Sequence, residues 1–197
     1  TDNKNLTGIG LTFTIGKGND LCCKAIEFFK EFIGSGITSM LMEELREKRQ
    51  WIYNVGLDNY TNPYGTFLVI EISTKNKHIK NVVEHTLKIL KKLAFGKFKE
   101  RYLDHVKKAY MVSHYETCQN NNFLTTFYGE QYINQLYNPE EKPSILSYDE
   151  VADKIHKLTK FNFVSFVRKL LIFANMKLAY QGKKEEKGLE KLVLKNI

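Results

Sequence analysis

The sequence predicts an α+β fold, with a small, mainly antiparallel sheet covered on one face by helices. Three features predict it. Residues 6–15 alternate apolar with polar or small side chains, as a strand with one buried face does. Two further strand-like runs, 52–60 and 66–73, are joined by a short connection that favours an antiparallel hairpin. Around these strands the apolar residues recur at helical spacing.

The first strand places Ile9, Leu11, Phe13 and Ile15 on one face. Gly16 to Asn19 reads as a turn, and Asp20 offers an N-cap. Leu21, Ala25, Phe28, Phe29, Phe32 and Ile33 then mark an amphipathic helix that ends at Gly34. A glycine-bounded turn opens the stretch GSGITSMLMEELREKRQWIY, residues 34–53. Within it Ile37, Met40, Leu41 and Leu45 share the face of a short helix, whose polar end, Arg46 to Gln50, runs into a strand at Ile52. One guanidinium, Arg46, and one phenol, Tyr53, thus flank a helix-to-strand junction.

Asn62 to Gly65 supplies turn chemistry between the two hairpin strands. Ile79, Val82, Val83, Thr86, Leu87, Leu90 and Leu93 define a second amphipathic helix ending before Gly96. A long helix runs from Glu100 to about Cys118, with Tyr102, Leu103, Val106, Ala109 and Tyr110 on its apolar side. The asparagines 120–122 cap or start a helix bearing Phe123, Phe127 and Tyr128. A loop with Pro139 and Pro143 follows, and Ser147 to Glu150 is a capping box. Its helix carries Val151, Ala152, Ile155 and Leu158. Thr159 caps another, with Phe163, Phe166, Val167 and Leu170. A last strand is expected over 173–181, then a frayed or truncated lysine- and glutamate-rich tail. No repeat or Gly/Ser/Pro-rich linker divides the chain, so residues 1–197 read as one domain.

Composition narrows the function classes. The formal net charge is +8, mostly from lysine. Lysines scattered along helices are a solvated face rather than the clustered, arginine-rich footprint of a nucleic-acid binder. No apolar run reaches the roughly 18 residues of a membrane span. The opening residues TDNKNLTG lack a signal-peptide pattern and read as a chain already under way, a fragment or processed piece of something longer. Three cysteines, two of them adjacent, make a poor disulfide framework and point to an intracellular, reducing compartment. At least one of Cys22 and Cys23 reads as core.

Catalytic motifs are scarce. No two histidines are spaced for HExxH or HxxEH. Asn81 to His85 keeps the Glu-His of HxxEH, but asparagine stands where the first ligand belongs, and Val82 and Val83 fall in a buried stripe, so the match reads as chance. There is no CxxC for a structural zinc site, no GxSxG and no phosphate-binding loop. His114 precedes Cys118 by one helical turn and could activate its thiol, although no oxyanion donor accompanies the pair. Spacing alone favours an ordinary reading of the junction too, with Arg46 paired to Glu43 or Glu44 and Tyr53 a partly buried strand tyrosine.

The segment GSGITSMLMEELREKRQWIYNV, residues 34–55, resembles the hallmark of the C-terminal-type domain of M16 zinc peptidases, the insulinase, pitrilysin and mitochondrial processing peptidase group. The family pattern is a glycine-rich turn, Ser-x-Leu, then Leu-Arg-Glu-Lys-x-Gly-Leu-x-Tyr. Here Leu45, Arg46, Glu47, Lys48 and Tyr53 match, and the order of elements fits nearly the whole chain. The resemblance implies the fold of LuxS/metallohydrolase-like M16 domains. It implies that the chain is a C-terminal-type domain, a fragment of or subunit within a longer peptidase, with no metal of its own. Zinc is expected in a partner, an N-terminal-type domain bearing HxxEH. By position, Arg46 is implied to bind peptide substrate, and Tyr53 to bind it and to act in catalysis, the whole enzyme working by metal-assisted hydrolysis. The alternative is a catalytically inactive scaffold or core subunit on the same fold. Gln50-Trp51 replaces the family's Gly-Leu, so the turn before Tyr53 is expected to differ.

Overall fold

The structure is a computed structural model, and it describes residues 6–15, 20–34, 39–62, 65–137, 145–182 and 186–195. The turns at Gly16–Asn19 and Pro63–Tyr64, the start of the 34–53 stretch including Gly36 and Ile37, the loop with Pro139 and Pro143, and the side chains of Cys22 and Cys23 lie outside the described residues.

Four antiparallel strands form one sheet in the order β2-β3-β1-β4. They are β1 (Leu6–Ile15), β2 (Ile52–Asn62), β3 (Gly65–Lys75) and β4 (Met176–Gln181). Register places Ile9, Leu11 and Phe13 beside Ile72, Ile70 and Leu68, and all six are buried. Thr12, Thr14, Val69 and Glu71 turn to the opposite, more open face. This is the alternation of a sheet with one covered side. The expected α+β fold is therefore the fold observed.

The covering layer is α1 (Asp20–Ile33), α2 (Ile79–Ala94), α3 (Glu100–Cys118), α4 (Asn121–Tyr137), α5 (Tyr148–His156), α6 (Lys160–Leu170) and α7 (Leu189–Lys195). Phe28, Phe29, Phe32 and Ile33 of α1 are fully buried. The Phe32 ring meets Phe98, Tyr102 and Phe163 at centroid distances of 5.2, 4.8 and 4.6 Å. Tyr102 also donates to the Phe32 carbonyl at 3.0 Å, tying α3 to the end of α1.

Local signals hold where backbone chemistry is explicit. Ser147 and Glu150 form both bonds of the capping box, and Thr159 accepts from Asn162 N–H. Asn120 Oδ1 accepts from Asn122 and Phe123 N–H and caps α4. Gly96, at φ 68°, ends α2 in a Schellman motif, with Lys97 N–H to Lys92 C=O at 2.8 Å and Gly96 N–H to Leu93 C=O at 2.9 Å. Three expectations are corrected. The last strand begins at Met176, because 173–175 form a 3₁₀ turn that puts the Phe173 ring edge-on to Phe13. The tail is not simply frayed: Leu189 is buried and α7 packs on α2. Ala109 is exposed rather than part of the apolar side of α3.

Candidate functional site

The helix expected before β2 is not an α-helix. Residues Met42–Glu47 form a π-helix, with Lys48 N–H bonding Glu43 C=O at 3.0 Å. Met42 and Leu45 are buried on its inner side, so its wider turn carries Arg46 and Glu47 outward. Such turns concentrate at functional sites because they break the regular aim of a helix's side chains.

The acids expected to tie up Arg46 are engaged elsewhere. Lys48 bridges Glu43 at 2.9 Å and also pairs with Glu44, while Arg49 reaches Glu44 Oε2 at 2.8 Å and its carbonyl at 2.7 Å. Arg46 is half exposed, and its ion-pair contact is with Glu47 at 4.0 Å, a long and solvated one. The Lys48 hydrogen bond, aided by Arg49, holds the Glu44 carboxyl below its usual value of 4.5.

The junction closes on one strained residue. Gln50 adopts φ 55°, the left-handed region that glycine enters freely and glutamine does not. Its N–H bonds Arg46 C=O at 2.8 Å and the following Trp51 N–H bonds Leu45 C=O at 3.0 Å, so two backbone bonds close the helix end around a left-handed residue. The sequence departure at Gln50 thus falls where the backbone asks for the family's glycine. Trp51 packs under the turn: Arg49 lies over its ring at 5.5 Å, His85 meets it edge-on at 4.9 Å, and His78 stacks at 6.1 Å. Its carbonyl accepts from Thr74 Oγ1 at 2.6 Å.

Tyr53 is the extra residue of a β-bulge. Ile52 faces Thr74 and Asn54 faces Ser73, so the register shifts across Tyr53. Instead of being a partly buried strand residue, Tyr53 is 47% exposed. Lys75, at the end of β3, places its Nζ 5.9 Å from the Tyr53 ring centroid. The β3 alternation that buries Ile70, Ile72 and Thr74 turns Lys75 to the open face. Arg46 and Tyr53 therefore sit on two backbone irregularities, one on each side of Gln50.

The remaining candidates serve packing. Val82 and Val83 are fully buried, and His85 Nδ1 lies 3.0 Å from Asn81 C=O while its ring edge meets Trp51. Among the described residues no three His, Cys, Asp or Glu groups are placed to hold a metal ion. His114 is buried, stacked on Tyr148 at 3.3 Å, with Nε2 3.0 Å from the Tyr148 carbonyl. Cys118 Sγ donates to Tyr115 C=O at 3.0 Å. A hollow lined by Asp104, Lys107, Met111, Tyr115 and His156 carries charges of both signs and no converging catalytic set. Among the described residues no helix is long and apolar enough to cross a membrane.

Comparison with known proteins agrees with this architecture. Residues 1–110 match the family model described as the peptidase M16 inactive domain. No curated protein matches the chain in sequence. Among solved structures, a peptidase M16 inactive domain from Pseudomonas fluorescens superposes with TM-score 0.75 at 18% identity, covering 92% of this chain and 42% of that one. A protease from Helicobacter pylori gives TM-score 0.73 at 13% identity over 93% of this chain and 42% of its own. An inactive peptidase domain from Bordetella parapertussis gives TM-score 0.70 at 7% identity, covering 93% of this chain and 96% of that one. The chain thus spans under half the length of the first two. Sheet order, junction and family match lead to one conclusion: the chain belongs to the M16 peptidase family, as a domain of its inactive type.

Proposed function

We propose that this chain is the non-zinc half of an M16 zinc metallopeptidase. Residues 1–197 form one C-terminal-type domain within a longer peptidase, bind peptide substrate, and complete the active site of a partner domain bearing HxxEH. One observation carries this reading. Arg46 and Tyr53 are both turned outward by backbone irregularities, and the acids that would neutralise Arg46 are engaged by Lys48 and Arg49.

The chemistry suits the residue types. A guanidinium holds peptide carbonyl oxygens through directional, charge-assisted hydrogen bonds. A phenol donates to the oxyanion that develops as the amide carbonyl becomes tetrahedral. When bound by the partner's HxxEH residues, a metal would supply the activated water. Everything asked of this chain is binding, orientation and one donated hydrogen bond.

The test is reconstitution. The chain alone should not hydrolyse peptides, and adding the zinc-bearing domain of its parent polypeptide should restore turnover. Arg46→Ala should raise KM by about tenfold or more with a smaller change in kcat, as loss of a charge-assisted contact requires. A KM equal to wild type removes Arg46 from substrate binding. The second reading, an inactive scaffold on the same fold, is favoured by Gln50 standing at φ 55° where the family pattern has glycine. It predicts an assembled pair without turnover.

A further inference from the structure

We propose that the outward face of α4 is the docking surface for the companion M16-type domain of the parent polypeptide. The identity of that partner rests on the function proposed above; the surface rests on α4 itself. Phe127 and Gln131, 3% and 2% exposed, fix α4 inward against α3 and α5. Gln131 seals the contact by donating to Phe127 C=O and Leu146 C=O and accepting from Leu146 N–H.

At 3.6 residues per turn, the side opposite Phe127 carries Gly129, Tyr132, Ile133 and Leu136. Tyr132, Ile133 and Leu136 are 57%, 52% and 62% exposed. Helices at a protein surface divide into an apolar and a polar side, and one that is apolar all round is buried all round. From Gly129 onward α4 is apolar on both sides, while the outward side of its first half carries Asn121, Asn122, Thr125 and Thr126.

Charge and backbone agree. The sequence holds 30 lysines and arginines, yet none lies between Ala109 and Glu141, and Glu130 is the only charged residue of α4. Depletion of charge, lysine above all, with exposed tyrosine marks the centre of a protein interface. Gly129 sits mid-helix without a positive φ, and a Cβ added there would meet nothing within 4 Å. Nothing among the described residues calls for glycine at that position, and glycine weakens a helix. An approaching partner backbone does call for it.

The occupant follows from the solved relatives. More than half of the Pseudomonas fluorescens and Helicobacter pylori chains lies outside the part that this chain covers. A domain joined in one polypeptide meets this face at high effective concentration. The complement is an apolar surface with a basic rim to meet Glu130.

The test titrates the zinc-bearing domain of the parent polypeptide with this chain, following association by sedimentation, beside thermal melts of the chain alone. Leu136→Lys should weaken association at least about tenfold without lowering the melting temperature. Gly129→Leu should weaken it similarly while raising the melting temperature, opposite signs that a purely structural role would not give. Tyr53→Phe should associate as wild type. Wild-type affinity in either α4 variant overturns the docking surface and leaves the active-site reading standing. A wild-type dimer dissolved by Leu136→Lys overturns it in favour of a second copy. Absence of association by the wild-type chain overturns it together with the proposed function.

Discussion

Gln50 is where residue chemistry and backbone disagree most. Its left-handed conformation is bonded to the Arg46 carbonyl, so whatever residue 50 costs is spent holding Arg46 in place. A non-glycine residue in this region costs about 1–2 kcal/mol. Gln50→Gly should therefore stabilise the chain by about 1 kcal/mol in denaturant melts, less the added freedom of glycine in the unfolded chain. A large loss of stability would mean that the Gln50 side chain, not its backbone, holds the turn. Glu44 makes the same junction pH-sensitive. Its folded pKa lies below 4.5 because Lys48 and Arg49 bond the charged form. The stabilisation is fully present above pH 4.5 and is lost as pH falls through the lower folded value. Trp51 is the single tryptophan and lies against Arg49, so its fluorescence reports the turn. An acid transition should appear below pH 4.5 and vanish in Glu44→Gln; an identical transition in that variant would place its origin elsewhere.

Elements differ in how openly the sequence declares them. β1, α2 and α3 end where alternation, periodicity and glycine place them, because burial and capping act through neighbouring residues. The π-helix did not declare itself. A π and an α turn bury the same Leu41 and Leu45, and they differ only in which carbonyl each N–H reaches. The bulge at Tyr53 adds one residue at a strand's start, too few to disturb a visible alternation. α7 carried a signal, Leu189, Leu192 and Val193 at helical spacing, masked by the surrounding lysine and glutamate. Gly34 shows an element-scale constraint of another kind. A Cβ there would lie 1.6 Å from Leu57 Cδ1, so the end of α1 meets β2 with no room for a side chain. Gly34→Ala should destabilise by about 1–3 kcal/mol, as overpacking does. A neutral effect in a thermal melt would show that Leu57 can swing aside.

The whole molecule divides into a helical back and an open sheet face. Across that face one row runs Gly56, Glu71, Gly10, Ala179, so its middle is nearly bare backbone around a single carboxylate. Tyr53 and Lys75 stand at the end of this low floor, where the bulge and the strand end leave them. The candidate region is marked in the sequence because Leu45 to Lys48 and Tyr53 match a family pattern. Its accessibility is not, since exposure of Arg46 depends on how Lys48 and Arg49 share two glutamates. The central claim, that Tyr53 serves a reaction completed across two domains, has a direct measurement. Single-turnover peptide hydrolysis should be compared for wild-type and Tyr53→Phe chains, each saturated with the zinc-bearing domain of the parent polypeptide. The account predicts a rate constant lower by about 10²–10³-fold with peptide affinity changed far less, as loss of an oxyanion donor gives. Equal rate constants would contradict it.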